Sequence, residues 1–492
     1  MSLTKTDLEN HLWTAADIHR GHIDASDYKQ YIFPLLFLKR LCDVYDEEIK
    51  EALNLSDGDE EYAKLPEQHR FQISEESHWD AIRKATKDVG LKLQNSMREL
   101  EKVNERLYGI FGDTTWTNKE RLSDQLLISL IEHFSKINLG ITNVDQDDLG
   151  DAYEYLVKKF ADDSGHTAAE FYTNRTVVHL MTQILKPQSG ESIYDPTCGT
   201  GGMLLNAVME LRKQNKEWRN VKLYGQEINL LTSAIAKMNC FLHDIEDFDI
   251  VRDDTLANPG FIEKDKLKTF DIAIANPPYS FKRWNQNKFK EDPYGRNMYG
   301  VPPKNNADYA FFQHIIASLD PKKGRGAILY PHGILFRDVE QEIRAKIVEA
   351  DIIEAVIGLG PNLFYNSPME SCIVIMNQNK KTELKKKILF INAVNEITRE
   401  QAESRLSEEN LNKITCAYSY PAEHCDIAKV VDLKEIIDNK HNLSIALYIR
   451  PTSDNCETSV EHSIKEWRNS RVQLKQQIES FFETLKEVGY NV

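Results

Sequence analysis

Paired cysteines at metal-binding spacing are absent from this sequence of 492 residues. The seven cysteines are scattered and odd in number, and no CxxC pair occurs among them. Zinc sites need ligands at short fixed spacings, and free thiols of this kind are typical of reducing compartments. We therefore expect a reducing compartment and no structural metal.

Long apolar runs are also missing. The longest, residues 31–38, is interrupted by Pro34 and followed by Lys39 and Arg40, whereas a membrane helix needs about 20 apolar residues. The opening MSLTKTDLENHLW has no basic segment followed by an apolar one, the pattern of a signal peptide. These absences predict a cytoplasmic protein without membrane contact.

An excess of positive charge is lacking too. The chain carries 61 Lys and Arg against 77 Asp and Glu, so its formal net charge is -16. This is the wrong sign for a protein that binds the DNA backbone unaided. We also recognise no GxxxxGK phosphate loop, no nuclease cluster and no base-reading module. If DNA is the substrate, other chains should supply affinity, sequence reading, translocation and cleavage.

The hydrophobic pattern changes along the chain. Apolar residues recur every three or four positions in residues 12–20, 28–53 and 126–137, which predicts helices in residues 1–165. Later, short apolar runs alternate with helical stretches: SIYDP, KLYGQE, DFDIVRDD, FDIAIANPP, GRGAILYP, IIEAVIGL, SCIVIMNQ and KILFINA. This alternation predicts an α/β domain, residues 166–425, with a mostly parallel sheet covered by helices on both faces. Ligands in such folds bind beyond the carboxyl ends of the strands.

The last part of the chain, residues 426–492, is predicted to be a helical tail because the strand signals fade there. Within it, residues 462–488 carry apolar side chains with an approximate seven-residue repeat, the pattern of a seam between helices. The seam either packs on this chain's own N-terminal helices or docks on helices of another protein.

A glycine-rich turn follows the first predicted strand, and acids end the next two strands. Glycines let a backbone approach a ligand closely, although a plain tight turn is the alternative. Glu227 lies where the ribose hydroxyls of a nucleoside cofactor would be, and Asp254 could accept from an adenine amino group. A surface acid and a turn or helix-cap aspartate remain the alternatives.

The fourth strand runs directly into Asn276-Pro277-Pro278-Tyr279. An exocyclic amine on an aromatic ring is a poor nucleophile because its lone pair is delocalised. An Asn oxygen and a rigid main-chain carbonyl can accept its two hydrogens and favour the pyramidal geometry. The prolines keep the loop out of the sheet ladder, and Tyr279 can stack on a flipped base.

In its order of motifs the sequence resembles the gamma-type amino-methyltransferases, in particular the modification subunits of type I restriction-modification systems. FYTNRTVVHLM, DPTCGTGG, YGQE, RDDT and NPPY occur in the family's order. The segment LWTAADIHRGHIDASDYKQYIFPLLFLKRL, PHGILFR and LFYNSPMESCIVIMN extend the resemblance to about residue 395. Asn174 departs from the proline that usually follows FYT in the family.

The resemblance implies a Rossmann-like, S-adenosylmethionine-dependent fold that methylates the N6 amino group of adenine in duplex DNA. The implied cofactor-binding residues are Phe171, Tyr172, Thr173, Asp195, Thr197, Gly199, Gly201, Gly202, Glu227 and Asp254. The implied catalytic residues are Asn276, Pro277, Pro278 and Tyr279. For DNA contact we expect Tyr279, Phe281, Lys282 and Arg283, at the start of a basic and aromatic stretch that could equally be a solvated loop.

The implied partners are DNA, a DNA-specificity subunit and a restriction subunit, with two copies of this chain per complex. Two other functions remain open. NPPY also serves enzymes that methylate glutamine in proteins or guanine in RNA, and a catalytically silent scaffold would hold partners without chemistry.

Overall fold

Helices form the N-terminal part of the computed structural model, which describes residues 3–19, 27–163, 173–363, 369–399 and 404–449 together with Arg468 and Arg471. These helices are α1 (Lys5–His19), α2 (Lys29–Leu55), α3 (Glu60–Ala63), α4 (Trp79–Arg83), α5 (Val89–Val103), α6 (Asp124–Phe134) and α7 (Gln146–Asp163). The three predicted helical segments match α1, α2 and α6. The predicted helix over residues 462–488 lies outside the described residues, apart from the two arginines.

Strands and helices alternate after α7. They are α8 (Arg175–Leu185), β1 (Ser192–Asp195), α9 (Gly202–Lys213), β2 (Lys222–Glu227), α10 (Leu230–Leu242), β3 (Phe248–Arg252), β4 (Ile262–Glu263), β5 (Lys266–Leu267), β6 (Ile272–Ala275), α11 (Gln286–Lys290), α12 (Asp308–Ala317), β7 (Arg325–Pro331), α13 (Gln341–Glu349), β8 (Ile353–Leu359), β9 (Ser371–Asn377), β10 (Lys387–Ala393), β11 (Thr398–Arg399), β12 (Ser404–Arg405), α14 (Glu408–Ser419), β13 (Ala428–Asp432), α15 (Leu433–Asp438) and α16 (Ile445–Tyr448). Each of the eight predicted strands is present.

Within the described residues, nine strands form the main sheet in the order β13-β10-β8-β9-β7-β6-β1-β2-β3. Strands β3, β2, β1, β6 and β7 pair in parallel, as do β8 and β10, whereas β9 and β13 run antiparallel to their neighbours. Residues of α8, α9 and α14 form a core with one face of the sheet, and residues of α12, α13 and α16 form a core with the other. The predicted α/β fold is therefore confirmed.

The sheet extends further along the chain than the sequence pattern predicted. Strand β13 pairs with β10 from Ala428 to Asp432, beyond residue 425, where the fading strand signals placed the end of the α/β domain. Its side chains alternate between buried and exposed only in part, which is why a search for continuous apolar runs missed it. The compact unit of the chain reaches Ile449.

Helix α10 belongs to two cores at once. Its residues Ala234, Ile235, Met238 and Leu242 lie in the hydrophobic core of the N-terminal helices, while Ala236 and Cys240 lie in the core beneath the sheet. The predicted boundary near residue 165 therefore does not separate two hydrophobic cores. No described helix is both long enough and apolar enough to cross a membrane.

Candidate active site

The glycine-rich turn links the end of β1 to the start of α9. Gly199 and Gly201 have φ angles of 55° and 84°, a left-handed conformation that costs other residues energy. A Cβ on Gly201 would meet Ala236 only at an ordinary 3.5 Å. Glycine is therefore needed here for backbone conformation, and α9 can start directly beneath the turn.

Glu227 holds this turn from the end of β2. Its Oε2 accepts the N–H of Gly199 at 3.0 Å, and its Oε1 accepts the N–H of Asn229 at 2.8 Å. Asp254, after β3, accepts the N–H groups of Leu256 and Ala257 at 2.9 and 3.1 Å through Oδ1. Both acids thus lie at the carboxyl edge of the sheet, and each also organises its own turn.

Asp195 is the most deeply buried acid of the predicted site. It is 2% exposed, and its Oδ1 accepts the N–H of Thr197 at 2.9 Å. Burial disfavours the charged form of a carboxyl group and raises the pKa of Asp195 to about 7. This carboxyl therefore titrates near neutral pH.

Asn276 is fixed in orientation at the end of β6. Its Nδ2 donates to Thr173 Oγ1 at 2.8 Å, and its Oδ1 accepts a hydrogen bond from the hydroxyl of Tyr279. Burial raises the pKa of Tyr279 well above its ordinary value, so this hydroxyl stays protonated. Pro277 is buried and Pro278 half-buried between them. The carboxamide oxygen therefore faces the side on which Tyr279 lies.

The residue after Tyr279 is held by a buried ion-pair network. Ser280 has a left-handed φ of 49°, and its N–H donates to Asp308 Oδ1 at 2.8 Å. Asp308 is fully buried and pairs with Arg337, which donates to Glu340 at 2.8 Å. Arg337 is the last residue of PHGILFR, so this motif supports the turn that follows NPPY.

A cavity of about 190 Å³ joins the glycine turn to Asn276. Of the predicted site residues, the cavity is lined by Thr173, Asp195, Thr197, Gly199, Gly202 and Asn276. The other described residues of the predicted cofactor and catalytic sites do not line it: Gly201, Glu227, Asp254, Pro277, Pro278 and Tyr279. Phe171 and Tyr172 are outside the described residues. The structure thus brings the glycine turn and NPPY to one cavity at the carboxyl edge of the sheet.

The N-6 DNA Methylase family matches residues 144–456, which is more than half of the chain, and the HsdM N-terminal domain family matches residues 8–134. The chain belongs to the N-6 DNA methylase family. It is 34% identical to the type I restriction enzyme MjaVIII methylase subunit of Methanocaldococcus jannaschii over 92% of this chain and 79% of that protein. It is 30% identical to the MjaVII methylase subunit of the same organism, over 94% of this chain and 81% of the relative.

A solved structure agrees with this assignment. The type I restriction-modification methyltransferase subunit from Streptococcus thermophilus superposes with a TM-score of 0.78 and 29% identity, over 91% of this chain and all of that one. The predicted family and enzyme class are therefore confirmed: this chain is a DNA methyltransferase of the type I restriction-modification group. A methylase of protein glutamine or of RNA, and a silent scaffold, are not favoured.

The sequence analysis missed several residues of this N-6 DNA methylase's cavity, which are Asp151, Glu154, Arg175, Asn206, Asn239 and His243. Among the described residues, Asn206 Oδ1, Asn239 Oδ1 and both ring nitrogens of His243 are buried without a hydrogen-bond partner. Burial lowers the pKa of His243 to about 4, so the ring is neutral. These residues lie on helices, or directly after one, whose apolar periodicity conceals them, but Glu154 carries a signal as an acid on the buried face of α7.

Part of the basic and aromatic stretch after NPPY is not available to DNA. Trp284 and Phe289 pack with Leu256 in a small core of their own. Arg296 is 2% exposed, pairs with Asp292 and donates to the carbonyl oxygens of Thr255 and Leu256. The expectation that this basic and aromatic stretch contacts DNA is therefore wrong for Trp284 and Arg296, which are buried, and backbone carbonyls and a buried carboxylate satisfy the guanidinium of Arg296. Lys282 and Arg283 are exposed and Phe281 is half-buried.

Proposed function

We propose that this enzyme transfers the methyl group of S-adenosylmethionine to the N6 amino group of adenine in duplex DNA, as the modification subunit of a type I restriction-modification complex. The observation that carries the proposal is the carboxamide of Asn276, which is fixed by hydrogen bonds and lines a cavity built on the glycine turn. Membership of the N-6 DNA methylase family supports the same reaction.

The residues around the cavity fit S-adenosylmethionine, which would supply a methyl group on a sulfonium. The unpartnered oxygens of Asn206 and Asn239 line the cavity, and the carboxylates of Glu227 and Asp254 lie outside its lining at the same edge of the sheet. All of them are acceptors for a polar nucleoside with an amino-acid end. Unpartnered buried polar atoms are costly unless a ligand or water satisfies them. We assign cofactor binding to the predicted residues Thr173, Asp195, Thr197, Gly199, Gly201, Gly202, Glu227 and Asp254, and, outside the described residues, to Phe171 and Tyr172.

The target amine would be positioned by the NPPY loop. Thr173 fixes the Asn276 carboxamide so that Oδ1 accepts one amine hydrogen, and the main-chain carbonyl of Pro277 accepts the other. The Tyr279 hydroxyl now bonded to Oδ1 must then give way to the amine, which leaves the Tyr279 ring to contact the base. Acceptors placed in advance stabilise positive charge that develops on the nitrogen.

We assign DNA contact beside the pocket to Tyr279, Phe281, Lys282 and Arg283. The exposed charges of Lys282 and Arg283 suit phosphates. A net charge of -16 favours a DNA-specificity subunit that supplies most of the basic surface. A restriction subunit and two copies of this chain per complex complete the proposed assembly.

Because strand β13 of the predicted tail belongs to the main sheet, only the seam over residues 462–488 is proposed to dock on helices of the specificity subunit. A chain that ends before His462 should bind S-adenosylmethionine but neither assemble nor methylate. Size-exclusion chromatography with the specificity partner tests this. Normal co-elution would refute docking, and loss of solubility would favour packing on the chain's own helices.

A methyl-transfer assay tests the function as a whole. The enzyme with its specificity subunit should transfer label from S-adenosylmethionine to a duplex containing its site, and digestion should recover the label as N6-methyladenine. A duplex in which every candidate adenine is replaced by 2-aminopurine, which lacks the N6 amine, is the matched control. Label on cytosine, or on release-factor protein in place of DNA, would overturn the proposal.

A further inference from the structure

Helix α7 belongs to the N-terminal helices, yet it forms one wall of the cavity beside the glycine turn. Asp151 and Glu154, one turn apart on α7, line this cavity together with Arg175 of α8. Asn206 on α9, and Asn239 and His243 on and directly after α10, line the same cavity. Residues from both sides of the predicted domain boundary therefore share one cavity.

The approach of α7 to α10 depends on Gly150. A Cβ at this position would lie 2.3 Å from His243 Cε1 and 2.5 Å from Nε2, distances at which something must move. Tyr153, fully buried, donates its hydroxyl to the carbonyl of Ile235 at 3.2 Å. Lys5 holds Asp151 at 2.6 Å. The helix is thus fixed against α10 at the level of the cavity.

The charges on this wall match an amino acid. Glu154 is 8% exposed and forms an ion pair with Arg175, and Arg175 follows Thr173 by two residues at the start of α8. A carboxylate and a guanidinium that face one cavity complement the α-ammonium and α-carboxylate of a zwitterionic amino-acid group. Such a ligand would replace one ion pair, in which Glu154 is buried and the Arg175 side chain is nearly half exposed, with two charge-assisted contacts.

We propose that α7 makes the N-terminal helices part of the cofactor site: Glu154 binds the α-ammonium group of the methionine end, and Arg175 binds its carboxylate. This inference rests on the proposed use of S-adenosylmethionine. Glu154 is then a binding residue rather than only a structural partner of Arg175.

Calorimetry with four probes, in each of which the sulfur is an uncharged thioether, distinguishes a binding role of Glu154 from a structural one. The probes are S-adenosylhomocysteine, which carries both charged groups, its decarboxylated analogue, its deaminated analogue, and 5′-methylthioadenosine, which carries neither. Glu154→Gln should weaken the two ammonium-bearing probes about 10- to 100-fold, the effect of losing a charge-assisted contact. Its affinity for the deaminated analogue and for 5′-methylthioadenosine should match the wild type.

Asp147→Asn is the matched control, because Asp147 lies on the same helix and pairs with Arg212 at 2.7 Å without lining the cavity. It should change none of the four affinities. Gly150→Ala should displace α7 from His243 without changing the charges that line the cavity. It should weaken the binding of S-adenosylhomocysteine more than that of 5′-methylthioadenosine. This second variant keeps the proposal testable if Glu154→Gln does not fold.

Three results would overturn the inference. Equal affinities of Glu154→Gln and wild type for S-adenosylhomocysteine would show that Glu154 binds nothing. A parallel loss for the deaminated analogue would show that Glu154 only orients Arg175, and an equal loss for 5′-methylthioadenosine would show a general collapse of the pocket. A wild-type protein that binds none of the probes would instead overturn the proposed cofactor.

Discussion

The two sides of the site differ in how their polar groups are satisfied. On the target side, the side proposed to hold the base, Asn276 is hydrogen-bonded to Thr173 and Tyr279, and Ser280 is hydrogen-bonded to Asp308. On the cofactor side, the side proposed to bind S-adenosylmethionine, buried atoms of Asn206, Asn239 and His243 have no partner among the described residues. One side is therefore organised before any ligand binds, whereas the other carries polar groups that a ligand must satisfy.

This difference separates two kinds of energetic effect. A preformed acceptor on the target side acts on the transition state, because charge develops there only during methyl transfer. An unpartnered polar atom on the cofactor side affects the binding free energy, because a buried polar group without a hydrogen bond costs about 1 to 3 kcal/mol. Substitutions on the target side should therefore lower turnover, and substitutions on the cofactor side should lower affinity.

Asn276→Ala should give the largest effect. Loss of one positioned acceptor typically costs about 2.7 to 4 kcal/mol in the transition state, so single-turnover methylation should fall by two to three orders of magnitude. Affinity for S-adenosylmethionine, measured by calorimetry, should stay within about twofold. An affinity loss as large as the rate loss would erase the distinction between the two sides.

Asp308→Asn should come next. Asp308 is fully buried and pairs with Arg337, and removing one partner of a buried ion pair costs about 3 to 5 kcal/mol. Arg337 is partly exposed and retains Glu340, so we expect about 3 kcal/mol in urea unfolding. Turnover per folded molecule should also fall, because Ser280 and the NPPY loop lose their support.

Asp43→Asn is the control for this variant. It breaks the buried Lys39–Asp43 pair of α2, far from NPPY in the chain, and should lower stability while turnover per folded molecule remains normal. If the two variants lower turnover alike, Asp308 acts through stability alone.

The sequence located the motif residues at the strand ends where the structure has them, but it did not reveal the residues that support them. The glycine turn, Glu227, Asp254 and NPPY could be found because each follows a strand, where the fold itself places ligands. Asp308 lies 28 residues from Ser280, and Glu154 lies on a helix before the catalytic segment, so only the tertiary structure brings them to the site. For Arg296 the sequence pattern gave the wrong expectation, because a charged residue among aromatic residues suggests an exposed side chain. Only the tertiary structure shows its buried partners.

On the cofactor side, Glu227→Ala should lower affinity for S-adenosylmethionine about 10-fold or more, since it removes an acid and leaves the N–H of Gly199 without its acceptor. Gly201→Val should act similarly, because valine is strained at a φ of 84°. Gly190→Val is a matched control: Gly190 has a φ of 80°, and a Cβ there meets nothing within 4 Å. Unchanged affinity in Glu227→Ala and Gly201→Val would place the cofactor elsewhere.

Asp195 should give an effect that depends on pH. An ordinary aspartate has a pKa near 3.9, whereas burial raises the pKa of Asp195 to about 7. Between about pH 4 and 7 the folded protein therefore keeps a proton that the unfolded chain has lost, and the free energy of unfolding falls as pH rises, by at most about 1.4 kcal/mol per unit. Asp195→Asn does not titrate, and its amide oxygen can still accept the N–H of Thr197. The stability of this variant relative to wild type should thus rise from pH 5 to 7 and become constant above pH 8 in urea unfolding. A stability difference between the variant and wild type that does not change with pH would mean that Asp195 is ionised throughout this range. The cofactor side would then already contain a partner for this charge. It would differ less from the target side than its unpartnered atoms indicate.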